Sequence, residues 1–166
     1  EDLHSHDAQM RMRELAQHAE IEPASLMFEI TERGLMAPEK ARNVLLAVRA
    51  GGFRMAIDDF GTGHSNLSYL ATYELDFLKI DKMFVDTLGT EAPTSLVTFH
   101  IIDLARSLGM QVIAEGVETE TQRDILQARG VQYAQGWLFG RPMSIQELQG
   151  FIAQVGPGVR HASVSP

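Results

Sequence analysis

The sequence contains no cysteine. Disulfide bonds and thiolate metal sites are therefore excluded, and this composition suits a reducing compartment. No apolar run approaches the roughly 20 residues needed to span a bilayer, and no signal peptide is visible. Low-complexity tracts and strict internal repeats are also missing.

Basic residues are scarce, since 14 Lys and Arg face 22 Asp and Glu and the formal net charge is −8. A protein that tracks the phosphates of DNA or RNA is normally basic, so this balance argues against broad nucleic-acid binding. If the ligand is itself an anion, something local must offset the acidic side chains. A bound divalent metal is the usual means.

What the chain does have is an alternation of short apolar runs and helical stretches within 166 residues, of which 45% are hydrophobic. That length suits one domain, and the alternation predicts a parallel sheet or barrel. A short helix or turn is predicted near residues 65–73. The predicted strands are 26–30, 54–58, 76–80, 111–115 and 131–136, and the main predicted helices are 7–19, 38–50, 94–108, 119–129 and 144–152.

Polar side chains stand at the carboxyl end of every predicted strand. In a (β/α) barrel these ends form one face, and that face holds the active site. We therefore predict that five successive strands deliver a shared site. Its members are Glu29 and Glu32 after the first strand, Asp58 and Asp59 after the second, Lys79 and Asp81 at the third, Glu115 and Glu118 at the fourth, and Gln135 at the fifth.

These residue types favour oxygen-ligated Mg²⁺ or Mn²⁺ over zinc. Several acids around one mouth could hold two metals that activate a water and stabilise the leaving oxygen of a phosphodiester. Lys79 could hold that water or neutralise charge on the phosphoryl oxygens. Simpler interpretations stay open for single motifs, because Asp58 and Asp59 suit a solvated turn and Glu118 suits a cap for the helix from Thr119.

Five motifs in chain order carry a family resemblance: FEITE, DDFGTGHSNLSYL, LKIDKMFV, VIAEGVET and YAQGWLFGRP. Together they resemble the EAL domain family of cyclic di-GMP phosphodiesterases, which are built on a modified (β/α)₈, TIM-like barrel. The implied reaction is hydrolysis of one 3′–5′ phosphodiester of cyclic di-GMP to linear pGpG. The wording GHSNLSYL is most similar to the subgroup carried on membrane-anchored proteins with periplasmic sensors.

The resemblance implies a role for each predicted site residue. Glu115 is expected to be the general base or to support a metal-bound water, and Lys79 to serve that water. Gln135 is expected to contact the hydrated metal centre or the substrate. The expected metal ligands are Glu29, Asp58 and Asp59, and the expected support for the second metal and the loops comes from Glu32 (beneath the loop Phe60-Gly61-Thr62-Gly63), Asp81 and Glu118.

The sequence also departs from the family pattern. The Glu-Ala-Leu triplet that names the family is missing, and so is an Asn-x-Ser ligand stretch. Only about five of eight barrel strands are predicted. We therefore expect residues 1–155 to be the C-terminal part of one barrel domain and 156–166 a mobile tail, and we expect little activity from this chain by itself.

Three further expectations concern the partners. The predicted helix 94–108 has more apolar surface than one barrel-facing stripe needs, which favours a homodimer. The resemblance implies an upstream sensory or membrane domain, with this domain on the cytoplasmic side. The alternative function is a non-catalytic receptor for cyclic di-GMP, although the retained acids and Lys79 favour an enzyme.

Overall fold

The computed structural model describes residues 6–36, 38–61, 70 and 72–155. Within them, five parallel strands form a single sheet in the order β1-β2-β3-β4-β5, and every helix follows or precedes a strand as the sequence predicts. The strands are β1 (Met27–Thr31), β2 (Arg54–Phe60), β3 (Phe77–Ile80), β4 (Gln111–Ala114) and β5 (Tyr133–Ala134).

In the described part of the chain, six α-helices and two 3₁₀ turns connect and flank these strands. The turns, at Pro23–Ser25 and Glu32–Met36, lie before and after β1. The helices are α1 (His6–His18), α2 (Pro38–Ala50), α3 (Lys82–Val85), α4 (Pro93–Ser107), α5 (Glu120–Ala128) and α6 (Ile145–Val155).

The central strands β2 and β3 are largely buried, as is usual for the strands of a parallel sheet, whose two faces are both covered. All four residues of β3 are buried, and one of them is the charged Lys79. The core around β3 consists of aliphatic and aromatic side chains from the sheet, α3, α4 and the connecting segments, with Phe60 and Phe84 among the aromatic ones. Its most completely buried large members are Leu35, Ile57, Leu78, Ile80, Val85, Ile102 and Val117.

The register of the strands brings their carboxyl ends to one edge of the sheet. Thr31 pairs with Asp58, Ile80 with Ala114, and Ala114 with Ala134. The residues that directly follow β3, β4 and β5 therefore emerge side by side. The carboxyl ends of the strands therefore lie at one edge, as predicted, and this edge with the predicted site residues on it is here called the rim.

The predicted helices agree with the structure to within three residues at their ends, and the predicted strands to within two. The fifth strand pairs over only two residues instead of the six predicted. The helix α3 and both 3₁₀ turns were not predicted. The predicted turn at 65–73 falls largely on residues outside the described part of the chain, and so does the predicted tail at 156–166. No helix among the described residues is long and apolar enough to cross a bilayer.

Just after β5, the backbone of Gly136 lies very close to the backbone of Val117. A Cβ atom added to Gly136 would lie 2.2 Å from the carbonyl oxygen of Val117 and 2.3 Å from its nitrogen. The two segments are joined here by the Val117 N–H, which donates to the carbonyl of Gln135. Only glycine fits at position 136 without moving this pair of segments.

We predict that Gly136→Ala lowers the free energy of unfolding by about 1–3 kcal/mol, because the added methyl group overpacks against backbone that cannot move aside. Urea denaturation followed by far-UV circular dichroism measures the change. The matched control is Gly150→Ala inside α6, where an added Cβ meets nothing within 4 Å. That variant is expected to gain about 0.5–1 kcal/mol from helix propensity. Equal stability of the two variants would contradict the close approach.

Candidate active site

The ammonium group of Lys79 is the centre of the rim. Its nitrogen lies 2.8 Å from Glu29 Oε1, 3.0 Å from Asp58 Oδ1 and 2.7 Å from Glu115 Oε1. The three carboxylates come from β1, from β2 and from the residue after β4, so one side chain on β3 joins four elements of the sheet. Three of the sequence-predicted acids thus converge on the predicted lysine.

Lys79 is only 5% exposed, and its charge is nevertheless stabilised. Burial alone lowers the pKa of the ammonium group. The contacts with Glu115, Glu29 and Asp58 outweigh that effect and raise the pKa of Lys79 above its ordinary value. Lys79 is therefore a permanent cation at neutral pH, and its role in the rim is electrostatic.

Gln135 holds the carboxylate of Glu115 from the other side. Its amide nitrogen donates to Glu115 Oε1 at 2.8 Å, while its backbone N–H donates to the carbonyl of Ala114. The same oxygen therefore receives a hydrogen bond from Gln135 and an ion pair from Lys79. This double contact fixes the orientation of Glu115 within the rim.

Asp58 and Asp59 lie at an irregularity of β2. Ile57 pairs with Leu78 and Phe60 pairs with Ile80, so β2 contains one more residue than β3 between these two pairs. Asp59 takes up the extra length in the left-handed conformation, with φ of 54°. Neighbouring residues of a regular strand point to opposite faces, and the bulge interrupts that alternation at the two adjacent aspartates.

Glu32 supports the start of the loop after β2, as the family resemblance implies. Its Oε2 accepts a hydrogen bond from the Gly61 N–H at 3.3 Å. Its Oε1 is shielded from solvent and has no hydrogen-bond partner among the described residues. Of the loop predicted at residues 60–63, Phe60 and Gly61 are described, and Thr62 and Gly63 fall outside the described part.

Asp81 and Glu118 lie on the far side of the rim from Glu29. Asp81 Oδ1 accepts from the Met83 N–H at 2.7 Å and caps α3. Glu118 Oε1 accepts from Lys82 Nζ at 2.6 Å. The structure therefore gives both carboxylates partners within the protein, and their expected roles toward a second metal stay predictions.

Lys82 was missed by the sequence reasoning. It is the first residue of α3, and its ammonium contacts Glu118 and also Asp86 Oδ1 at 2.9 Å. These contacts, the one with Glu118 foremost, raise the pKa of Lys82. The available signal was a second lysine three residues after Lys79, within LKIDKMFV.

The family model described as the EAL domain matches residues 1–142. The chain belongs to the EAL domain family.

Three EAL relatives illustrate the match. The cyclic di-GMP phosphodiesterase RocR of Pseudomonas aeruginosa is 38% identical over an alignment of 149 residues that covers 85% of this chain and 38% of RocR. The EAL domain of Mycobacterium smegmatis DcpA has a TM-score of 0.84 at 35% identity, covering 92% of this chain and 68% of that one. Klebsiella pneumoniae BlrP1, solved with manganese and cyclic di-GMP, has a TM-score of 0.76 at 34% identity, covering 84% and 36%.

These likenesses confirm the fold class. The five parallel strands are part of the TIM-like barrel of EAL domains. The chain spans well under two-thirds of the length of the curated relatives that it matches. The described strands thus supply one continuous portion of the barrel wall, together with the rim at its carboxyl end.

The donor chemistry of the rim suits a hard divalent cation. The acids offer carboxylate oxygens, which are the ligands that such cations prefer. Asp58 Oδ1 is shielded from solvent and forms an ion pair with Lys79, but it accepts no hydrogen bond of normal geometry among the described residues. In the described part of the chain, however, no three Asp, Glu or His side chains are disposed to hold a metal by themselves. The side chains of Glu29, Asp58 and Asp59 therefore have the chemistry that divalent-metal ligands need. Their arrangement around a metal ion stays a prediction.

We predict that Asp59→Gly is more stable than Asp59→Ala by about 1 kcal/mol in free energy of unfolding. Both changes remove the carboxylate, but only alanine bears the steric cost of the left-handed conformation at this position. Urea denaturation of the two variants without added metal measures the difference. In a regular strand the order is reversed, so a more stable alanine variant would contradict the bulge.

Proposed function

We propose that the protein carrying this chain hydrolyses cyclic di-GMP to linear pGpG. The observation that carries the proposal is the convergence of Glu29, Asp58 and Glu115 on Lys79, with Gln135 bound to Glu115. This group lies at the carboxyl rim of an EAL-type sheet, where barrel enzymes hold their active sites. RocR is named a cyclic di-GMP phosphodiesterase, and BlrP1 has been solved with cyclic di-GMP, which supports this choice of substrate.

In this proposal Glu115 accepts a proton from the attacking water. The water oxygen forms a bond to phosphorus, the bond from phosphorus to the 3′ oxygen breaks, and the 3′ oxygen takes up a proton. Gln135 keeps Glu115 oriented, since its amide fixes one carboxylate oxygen. Lys79 places a permanent positive charge beside the phosphoryl oxygens, where negative charge grows in the transition state.

Divalent metal completes the proposed site, as Mg²⁺ or Mn²⁺ and as two ions in the whole domain. Glu29, Asp58 and Asp59 would hold it, and Glu32, Asp81 and Glu118 would support the surrounding loops. When bound, such ions lower the pKa of water and stabilise the leaving oxygen. The manganese complex of BlrP1 supports this requirement.

A cleft of about 740 Å³ adjoins Glu115 and Gln135 and suits part of the nucleotide. Trp137 and Phe139 line it and are 57% and 43% exposed, so a base can stack on them. The Arg141 guanidinium lies 4.6 Å from the centre of the Trp137 ring and adds positive charge on the same side.

The proposal extends to assembly and place in the cell. The helix α4 keeps Leu96 and Val97 exposed at 62% and 41%, although its opposite face is buried, and we propose that this exposed strip joins two copies. The greater length of the curated relatives suits an upstream sensory or membrane domain. The active site would then operate in the cytoplasm.

The first test is turnover by the full-length protein. We expect cyclic di-GMP to be converted to pGpG in Mg²⁺ or Mn²⁺, with the product identified by chromatography, and we expect EDTA to abolish the reaction because the carboxylates alone do not activate water. Binding of cyclic di-GMP without turnover would instead identify a receptor. Turnover that persists in excess chelator would contradict the metal requirement.

The second test removes single carboxylate charges from the rim. Asp58→Asn and Glu115→Gln are each expected to lower kcat by several orders of magnitude, since one loses a metal ligand and the other the proton acceptor. Asp103→Asn is the matched control, because Asp103 is an exposed acid of α4 paired with Arg106. A rate near that of the unmodified protein in either rim variant would refute the site assignment.

A further inference from the structure

The segment that carries Glu115 is attached to the sheet on one side and to α3 on the other. Residues 115–119, here called the Glu115 loop, connect β4 to α5. The loop begins with the Glu115 N–H donating to the carbonyl of Ile80, and Val117 donates to the carbonyl of Gln135. The loop turns at Gly116, where φ is +69°. Val117 also accepts from the Leu138 N–H at 3.0 Å and is fully buried, and further support comes from the direction of α3.

Lys82 makes the first link from α3 to this loop. Its ammonium donates to Glu118 Oε1 at 2.6 Å, and its aliphatic stem lies directly on Gly116. A Cβ atom added to Gly116 would be 2.4 Å from Lys82 Cγ and 2.7 Å from both Cβ and Cδ. The Lys82 side chain thus packs on Gly116, the residue after Glu115, and binds the loop a second time at Glu118.

Gln122 makes a second link between the same two elements. This residue is 7% exposed, and its amide oxygen accepts from the backbone N–H groups of Glu118 and Thr119 at 2.8 and 3.0 Å. Its amide nitrogen donates to the carbonyl of Val85, the last residue of α3, at 3.3 Å. Lys82 and Gln122 therefore tie both ends of α3 to the Glu115 loop.

We propose that Lys82 is a positioning residue for the reaction, acting by holding the Glu115 loop against α3 so that Glu115 keeps its place between Lys79 and Gln135. This inference rests on the proposed function, because Glu115 is assigned there as the proton acceptor. Among the described residues Lys82 forms ion pairs with Glu118 and Asp86, and with neither Asp58 nor Glu29.

The expected effect is on rate and not on stability. Lys82 and Glu118 are 46% and 38% exposed in their side chains, and ion pairs in such settings contribute little to folding. A small displacement of a catalytic group, in contrast, is costly, since a shift of about 1 Å can lower a rate by about a hundredfold. The two consequences can be measured separately.

The test compares three variants of the full-length protein. Lys82→Met keeps the stem over Gly116 and removes the charge, and Lys82→Arg keeps both. Asp86→Asn is the matched control, because it removes the other carboxylate partner of Lys82 without touching the loop. Steady-state turnover of cyclic di-GMP and amide hydrogen exchange of residues 115–119 without substrate are the two readouts.

We expect Lys82→Met to lower kcat about tenfold to a hundredfold with KM little changed, and to speed exchange at the Val117 and Glu118 amides. Lys82→Arg should restore both values, and Asp86→Asn should leave both as in the unmodified protein. A rise in KM alone would show that Lys82 contacts the substrate directly. A fall in kcat with unchanged hydrogen exchange would show that Lys82 affects the rate by a means other than holding the Glu115 loop. Either result would overturn the proposal, and so would the absence of any change in Lys82→Met.

The exchange measurement needs no turnover. If the unmodified protein fails to hydrolyse cyclic di-GMP, the proposed function is refuted, while faster exchange in Lys82→Met still supports the link between α3 and the Glu115 loop. Unchanged exchange in that case refutes the link as well. The two failures are thus separable.

Discussion

The ammonium group of Lys79 is the interaction on which the arrangement of the rim depends. It is buried in the middle of a parallel sheet, where an unpaired charge is strongly unfavourable. Three carboxylates within 3.0 Å stabilise it, and it in turn reduces their mutual repulsion. Because those carboxylates come from three different elements, a change in the register of any one strand would leave a charge without its partner.

Asp59 shows that the local backbone departs from regular structure where the rim requires it. The extra residue between Ile57 and Phe60 interrupts the regular pairing of β2 with β3. Asp59, a non-glycine residue, takes the left-handed conformation there, which is unfavourable by itself. The surrounding core compensates for that cost, since Ile57 and Phe60 on either side are both buried. The rigid neighbours hold the two aspartates in an arrangement that an isolated strand would not adopt.

Much of this fold follows from the sequence because the strands contain short apolar runs and because α2, α4 and α5 each end one or two residues before a glycine. The pattern placed β3 and its lysine correctly, and the polar residue after each strand identified the rim. It missed α3, because four residues are too few to show helical periodicity and because Asp81, whose carboxylate caps that helix, is also a predicted site residue. It also missed Lys82, whose partner Glu118 is 36 positions away. No periodicity or spacing rule reports such a contact.

The net charge of the rim explains why Lys79 and Lys82 matter for substrate binding as well as for their own ion pairs. The predicted site gathers seven carboxylates, from Glu29 to Glu118, and the ammonium group of Lys79, and the structure adds the ammonium group of Lys82. The remaining formal excess is five negative charges, and the proposed substrate brings two phosphates of the same sign. Lys79 and Lys82 cannot balance both. Divalent cations in the rim would make substrate binding favourable, and the pairing of Glu118 with Lys82 keeps one carboxylate turned toward α3. The same ion pair that positions the Glu115 loop therefore also lowers the negative charge that an anionic substrate meets.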